Sequence, residues 1–213
     1  MKAKLWILIN QLIESIKANS KLKPESLLTA LPLNKKQQES IKTITPKEVF
    51  CLHREMNGLT IYWVPEEAED PDVIGKVKII PVEEILQDWK DVVFFDFTPQ
   101  DERIRYFHPI DFFVDECCTG AFLNEPASNQ EDISLYLYRF EGEPIKLYLG
   151  MEGYLKMLIA AKGFLYWQYS ILEILEGREN PTSKKFKDWM PRLFEEFSWE
   201  DYVALYQEVR LTE

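Results

Sequence analysis

Two short stretches, LTIYWV at residues 59–64 and KVKII at residues 76–80, decide the fold. Both are rich in β-branched and aromatic residues. Turn formers bound them, Asn57-Gly58 before the first, Gly75 and Pro81 around the second, so they read as strands. The same character recurs in VVFFDF (92–97), RIRYF (103–107), GAFLN (120–124) and ISLYLYRF (133–140). VVFFDF is apolar at nearly every position and predicts a central strand, whereas ISLYLYRF alternates as a strand with one wetter face does. PVEEILQDW (81–89) opens on Pro81 with acids in its first turn and predicts a short helix.

On both sides of this run the apolar period lengthens. Leu5, Ile9, Leu12 and Ile16 fall at helical spacing, and residues 1–44 read as one amphipathic helix followed by a polar connection. Thr45-Pro46-Lys47-Glu48 predicts a helix start, with Thr45 as cap and Glu48 closing a capping box. That helix carries Val49, Leu52, His53 and Met56 and stops at Asn57-Gly58. After residue 150 come stripes of Met151, Tyr154, Leu155, Leu158 and Ile159, then Phe164, Trp167, Ile171, Ile174 and Leu175. A third stripe, Phe186 to Phe197, is interrupted by Pro191, and Ser198 heads a last helix. Helices, then strands, then helices predict an α+β fold with a mainly antiparallel sheet.

A chain of 213 residues, 46% hydrophobic, holds enough apolar surface for one large domain, alone or with a small appendage. Its net charge of −11 is unevenly placed: residues 1–48 have nine Lys and four Glu, so the acidity belongs to residues 49–213. That field repels phosphate backbones and acidic membrane surfaces and favours a basic protein partner. The first apolar run is shorter than a signal-peptide core, and no other run approaches the roughly 20 apolar residues of a membrane span. Three cysteines, two of them adjacent, make no disulfide framework, so the cytoplasm is the expected location.

The sequence offers little for catalysis. His53 and His108 stand in no metal-binding frame, and adjacent Cys117 and Cys118 on a strand point to opposite faces, so no metal and no cofactor is predicted. Cys51 and His53, two apart on a helix, do not face each other. No glycine-rich phosphate loop and no nucleophile elbow occur. Two acidic clusters remain. Glu66, Glu67, Glu69, Asp70 and Asp72 sit on a predicted turn, and Asp111, Asp115 and Glu116 lie between strands. Both are candidate contact surfaces for a basic partner. Either could pose as an acid–base pair, and the enzyme alternative rests on the second, although neither cluster brings a nucleophile or an orienting base.

REMNGL (54–59) leading into TIYWV resembles the entry to the SUKH superfamily fold, as do GKVKIIPVEEIL (75–86), VVFFDF, RIRYFHPID (103–111), LYLY (135–138), IKLYLGMEGYLKMLI (145–159) and GFLYWQ (163–168). The resemblance spans about residues 30–175. It implies a curved central sheet of about five to six strands flanked by N-terminal and C-terminal helices. It also implies a non-enzymatic role, since bacterial members are typically immunity proteins that bind and neutralise a toxin, and fungal relatives are regulatory interaction proteins. By the same likeness Asn57, Gly58, Trp63, Gly75, Pro81, Tyr154 and Leu155 match structural positions of the family. The expected organisation is one such domain over residues 1–177, with residues 178–213 a helical extension packed on it. The expected function is that of a non-catalytic immunity protein neutralising a cognate toxin, nuclease-like and basic; a regulatory adaptor of the same fold is the alternative.

Overall fold

Burial alternates along β2 (Leu59–Pro65) and β3 (Gly75–Ile79): Leu59, Ile61, Trp63, Val77 and Ile79 turn inward, while Tyr62, Lys76 and Lys78 are exposed. That period of two marks strands with one wet face. The computed structural model describes residues 2–67, 70–100, 102–125, 133–140 and 142–212, with side chains from Trp6 onward. Besides β2 and β3 its strands are β1 (Leu22–Thr29), β4 (Phe107–Val114), β5 (Cys117–Phe122), β6 (Tyr136–Arg139) and β7 (Ile145–Lys146). All seven join one open antiparallel sheet in chain order. With eight α-helices among the described residues, the fold is α+β, as the sequence predicts.

The chain forms two compact units, each assembled from separated segments. The first is Met1–Leu28, Thr60–Val77 and Glu152–Glu213. It holds α1 (Lys2–Ala18), nearly all of α5 (Met151–Ala160), α6 (Gln168–Glu176), α7 (Pro181–Leu193) and α8 (Trp199–Val209). Its core centres on Trp63, which has no exposed surface. The indole N–H donates to Lys162 O at 2.9 Å, and Phe164 and Phe194 meet the ring edge-on at 6.2 and 5.7 Å. Gly75 lies against that indole, so close that a Cβ there would fall 2.0 Å from Nε1. Residues 163–165 pair with the start of β3, Lys76 N donating to Gly163 O and Leu165 N to Ile74 O, both at 2.8 Å. Gly163 makes this approach with φ +68°, a conformation that disfavours any side chain. Residues after Gly177 belong to the same core: Phe186 packs its ring on Phe164 (5.5 Å), Phe197 (5.4 Å) and Tyr202 (5.2 Å). The predicted cap at Ser198 is present; Asn180, not foreseen as a cap, heads α7 with a capping box to Ser183, and α7 continues past Pro191 to Leu193.

The second unit is Thr29–Leu59 and Lys78–Met151. It holds α2 (Lys35–Ile41), α3 (Lys47–Glu55), α4 (Val82–Ile85) and the later strands. Asn57 joins α3 to α4: its Oδ1 accepts from Val82 N at 3.0 Å and its Nδ2 donates to Glu83 Oε2 at 2.9 Å. Gly58 O accepts from Ala30 N, and Pro81 precedes α4 as predicted.

Several sequence expectations need correction. Residues 92–97 are not a strand. Val92 N and Val93 N both bond back to Trp89 O, and Asp91 has φ +65°, so the chain coils there. Residues 103–106 form a 3-10 turn, and the strand begins only at Phe107. The strands buried on both faces are β5, buried from Cys117 to Ala121, and much of β4, whose Pro109 and Asp111 break the apolar pattern. Pro109 offers no N–H, and the β4–β5 register shifts between Pro109 and Asp111, the kind of irregularity that admits proline. Residues 19–44 are not a simple connection: β1 and α2 lie there, α2 opening with an Asn34–Gln37 capping box. Thr45 does not cap α3; its hydroxyl is buried without a hydrogen-bond partner, and Glu48 Oε2 instead accepts from Met151 N at 2.9 Å.

His53, fully buried on α3, sits between two carbonyls, Val49 O at 2.9 Å from Nδ1 and Ile80 O at 3.0 Å from Nε2. A neutral ring donates to only one of them. Burial lowers its pKa from 6.5, against the opposing pull of both carbonyls and Glu83; His108 is lowered likewise by burial, against Ile85 O and Asp88. In the unfolded chain both rings take protons near pH 6.5, before the folded ones do, so stability falls as pH drops below that value. Melting temperatures recorded from pH 7.5 to 5.5 are expected to decline, with a shallower decline in His53→Gln. An identical slope in that variant would assign the acid sensitivity elsewhere.

Candidate functional site

The carboxylates singled out in the sequence do not assemble into a site. Asp111 is fully buried in the middle of β4, opposite Thr119, with Lys78 N donating to its Oδ1 at 2.8 Å. Asp115 and Glu116 are exposed in the turn between β4 and β5. One member is therefore inside the second unit and two are in water, an arrangement without a shared substrate position. In the other cluster Glu66 and Glu67 are exposed after β2, and Glu69 lies outside the described residues. Asp70 and Asp72 both meet Lys185, at 2.9 and 3.0 Å. The Asp72 amide, and then Lys185, hold the Asp70 carboxyl below the usual range. These two acids fasten α7 to the loop before β3, which leaves Glu66 and Glu67 as the freer part of the predicted surface.

Cys117 and Cys118 are free thiols buried in β5, and burial pushes Cys117 up to about 12 and Cys118 well up, so neither is a thiolate at neutral pH. Among the described residues no three His, Cys, Asp or Glu side chains are grouped to hold a metal ion, and no helix is long and apolar enough to cross a membrane. A groove of about 380 Å³ in the first unit runs between the ends of α1 and α7. Several of its polar side chains are already engaged: Asn19 with Leu193 O, Lys21 with Arg192 O and Glu195, Glu196 with Lys162.

The feature that sequence reasoning misplaced is the segment 86–100 of the second unit, between α4 and the 3-10 turn. It holds no helix or strand, yet internal bonds fix its course. Asp91 N donates to Phe94 O (2.7 Å) and Val93 N to Trp89 O (2.8 Å). Phe95 N donates to Thr98 Oγ1, and Thr98 N returns to Phe95 O, both at 3.0 Å. Arg105 grips the far side, donating to Pro99 O at 2.7 Å and to Thr98 O while its guanidinium lies 4.9 Å over the Phe94 ring. Two side chains anchor the segment inward: Val93 is buried, and Trp89 donates to Ile85 O and stacks on Phe112 at 5.7 Å. Three point outward. Phe97 is 85% exposed, Phe95 40% and Val92 39%. The two phenyl rings stack almost parallel, 5.4 Å apart at 5°. Covering an apolar side chain of this size contributes about 1.5–3 kcal/mol, which the fold leaves unused at Phe97. The signal in the sequence was the apolar run itself; its outward direction had no local marker.

No family model, curated protein or solved structure matches this chain.

Proposed function

We propose that this protein works by binding another protein and that the partner is a toxin domain with a basic surface, which it neutralises by covering it. The observation that carries the reading is the charge of residues 78–151. That stretch has six Lys and Arg against fifteen Asp and Glu, so it holds −9 of the net −11. A protein surface of this sign steers toward a positive cleft, raises the association rate and weakens as salt rises. The SUKH-like motifs around Trp63 and residues 145–168 support an immunity role in particular. The separation of Asp111 from Asp115 and Glu116 weighs against the acid–base alternative.

Co-expression with the toxin encoded beside it is expected to restore growth, and the purified pair is expected to associate more slowly as ionic strength is raised. Growth that stays arrested, with a housekeeping protein recovered as the stoichiometric partner, would replace neutralisation with the adaptor role. Association that ignores salt would remove charge from the account.

A further inference from the structure

We propose that segment 86–100 is the docking element of this protein, and that its occupant is a protein surface in which an apolar patch receives Phe95 and Phe97 inside a rim of Lys and Arg. The inference rests on the reading above only in taking the partner to be a protein.

Loops of this length without regular structure are uncommon inside compact domains unless they serve a function or are disordered. This one is held at both ends and across its middle, by Trp89 and Val93 beneath it and Arg105 beside it. Its exposed rings are therefore ordered before any partner arrives, which lowers the entropic cost of using them as anchors. Aromatic side chains set in a water-excluding surround are the usual energetic centre of an interface. Phe95 and Phe97 already form one stacked unit, with Val92 exposed on the same segment.

Charge selects among occupants. Asp88, Asp91 and Asp96 are exposed on the segment, and its one cation, Lys90, lies 2.6 Å from Asp96. A second copy of this chain would set −11 against −11, and a nucleic acid or an anionic lipid surface would be repelled by the same field. A basic amphipathic protein surface satisfies both halves of the patch, rings and carboxylates.

The probe is a helical peptide of about 18 residues, roughly five turns, with a Leu stripe flanked by Lys. Two companions of equal length isolate the components, a Lys/Ser peptide without apolar residues and a Leu/Ser peptide without charge. Wild-type protein is expected to bind the Leu/Lys peptide about tenfold more tightly than either companion. The Phe95→Ala/Phe97→Ala variant is expected to lose about that tenfold advantage while its melting temperature and circular dichroism stay put, since both rings are exposed. Phe97→Ala alone, at the more exposed ring, gives an intermediate loss. Undiminished binding by the double variant would overturn the docking element, and equal binding of the Leu/Ser peptide would overturn the basic rim. The growth assay keeps the two ideas separable. Rescue by wild type and equally by the double variant rejects the loop but not neutralisation; no rescue rejects neutralisation, while the peptides still decide the loop.

Discussion

Gly75→Ala is expected to destabilise the first unit by about 3 kcal/mol, at the upper end of what an added methyl costs in a packed core. The new Cβ would fall 2.0 Å from Nε1 and 2.1 Å from Cε2 of Trp63. The indole cannot step aside, because it has no exposed surface, holds Lys162 O, and is wedged by Phe164 and Phe194. Nor can the backbone of Gly75, since its neighbours Ile74 and Lys76 bond to Leu165 and Gly163. For a chain of this size the loss corresponds to a fall of roughly 6–12 °C in melting temperature. Trp63→Ala alone is expected to cost about 3–5 kcal/mol through the cavity it leaves. The two changes share one space, so the double variant should lose clearly less than the sum of the singles. Strict additivity would mean that the close approach is not the cause.

Ending the chain at Gly177 is expected to abolish cooperative folding of the first unit altogether. The removed segment carries Phe186, Met190, Leu193, Phe194, Tyr202 and Tyr206, all buried. At about 1.5–3 kcal/mol for each of these six side chains, their combined loss of roughly 9–18 kcal/mol is as large as the roughly 5–15 kcal/mol that keeps a typical domain folded. The cut also strips Trp63 and Phe164 of ring partners and breaks the contact between the Ser170 and Tyr202 hydroxyls, 2.8 Å apart. Phe186→Ala supplies a graded version, expected to cost about 3–5 kcal/mol without removing the helices. Near-ultraviolet circular dichroism and a thermal melt of the shortened chain decide the matter. A sharp, wild-type-like transition would make residues 178–213 a dispensable appendage.

What could be read from the sequence depended on whether local pattern and final burial agreed. They agree in β2 and β3, where alternation maps directly onto inward and outward faces, and in α5, where Tyr154 and Leu155 are fully buried. They disagree in β1, LKPESLLT, whose Pro24, Lys23 and Glu25 conceal a strand that leaves most of its side chains wet. In β4 a proline and a buried carboxylate interrupt the run of a largely enclosed strand, while the apolar VVFFDF, which looks more strand-like, is a coil turned partly outward. Hydrophobicity gives no sign of direction once the period of two is absent. The acidic turn was legible as charge, but its partner Lys185 lies 113 residues beyond Asp72, so the pairing had no local signature.

The first unit is closed by contacts between opposite ends of the chain: Asn19 Nδ2 donates to Leu193 O, 174 positions away. During synthesis the strands and helices of the other unit, all within residues 29–151, leave the ribosome before Leu193 exists. The end of the early helix must then wait with Asn19 and Lys21 lacking their final partners Leu193, Arg192 and Glu195, a period in which nascent chains attract chaperones and aggregate. Slow reading of the codons for residues 163–213 is accordingly expected to lower the yield of folded protein, an effect that leaves no trace in the finished molecule.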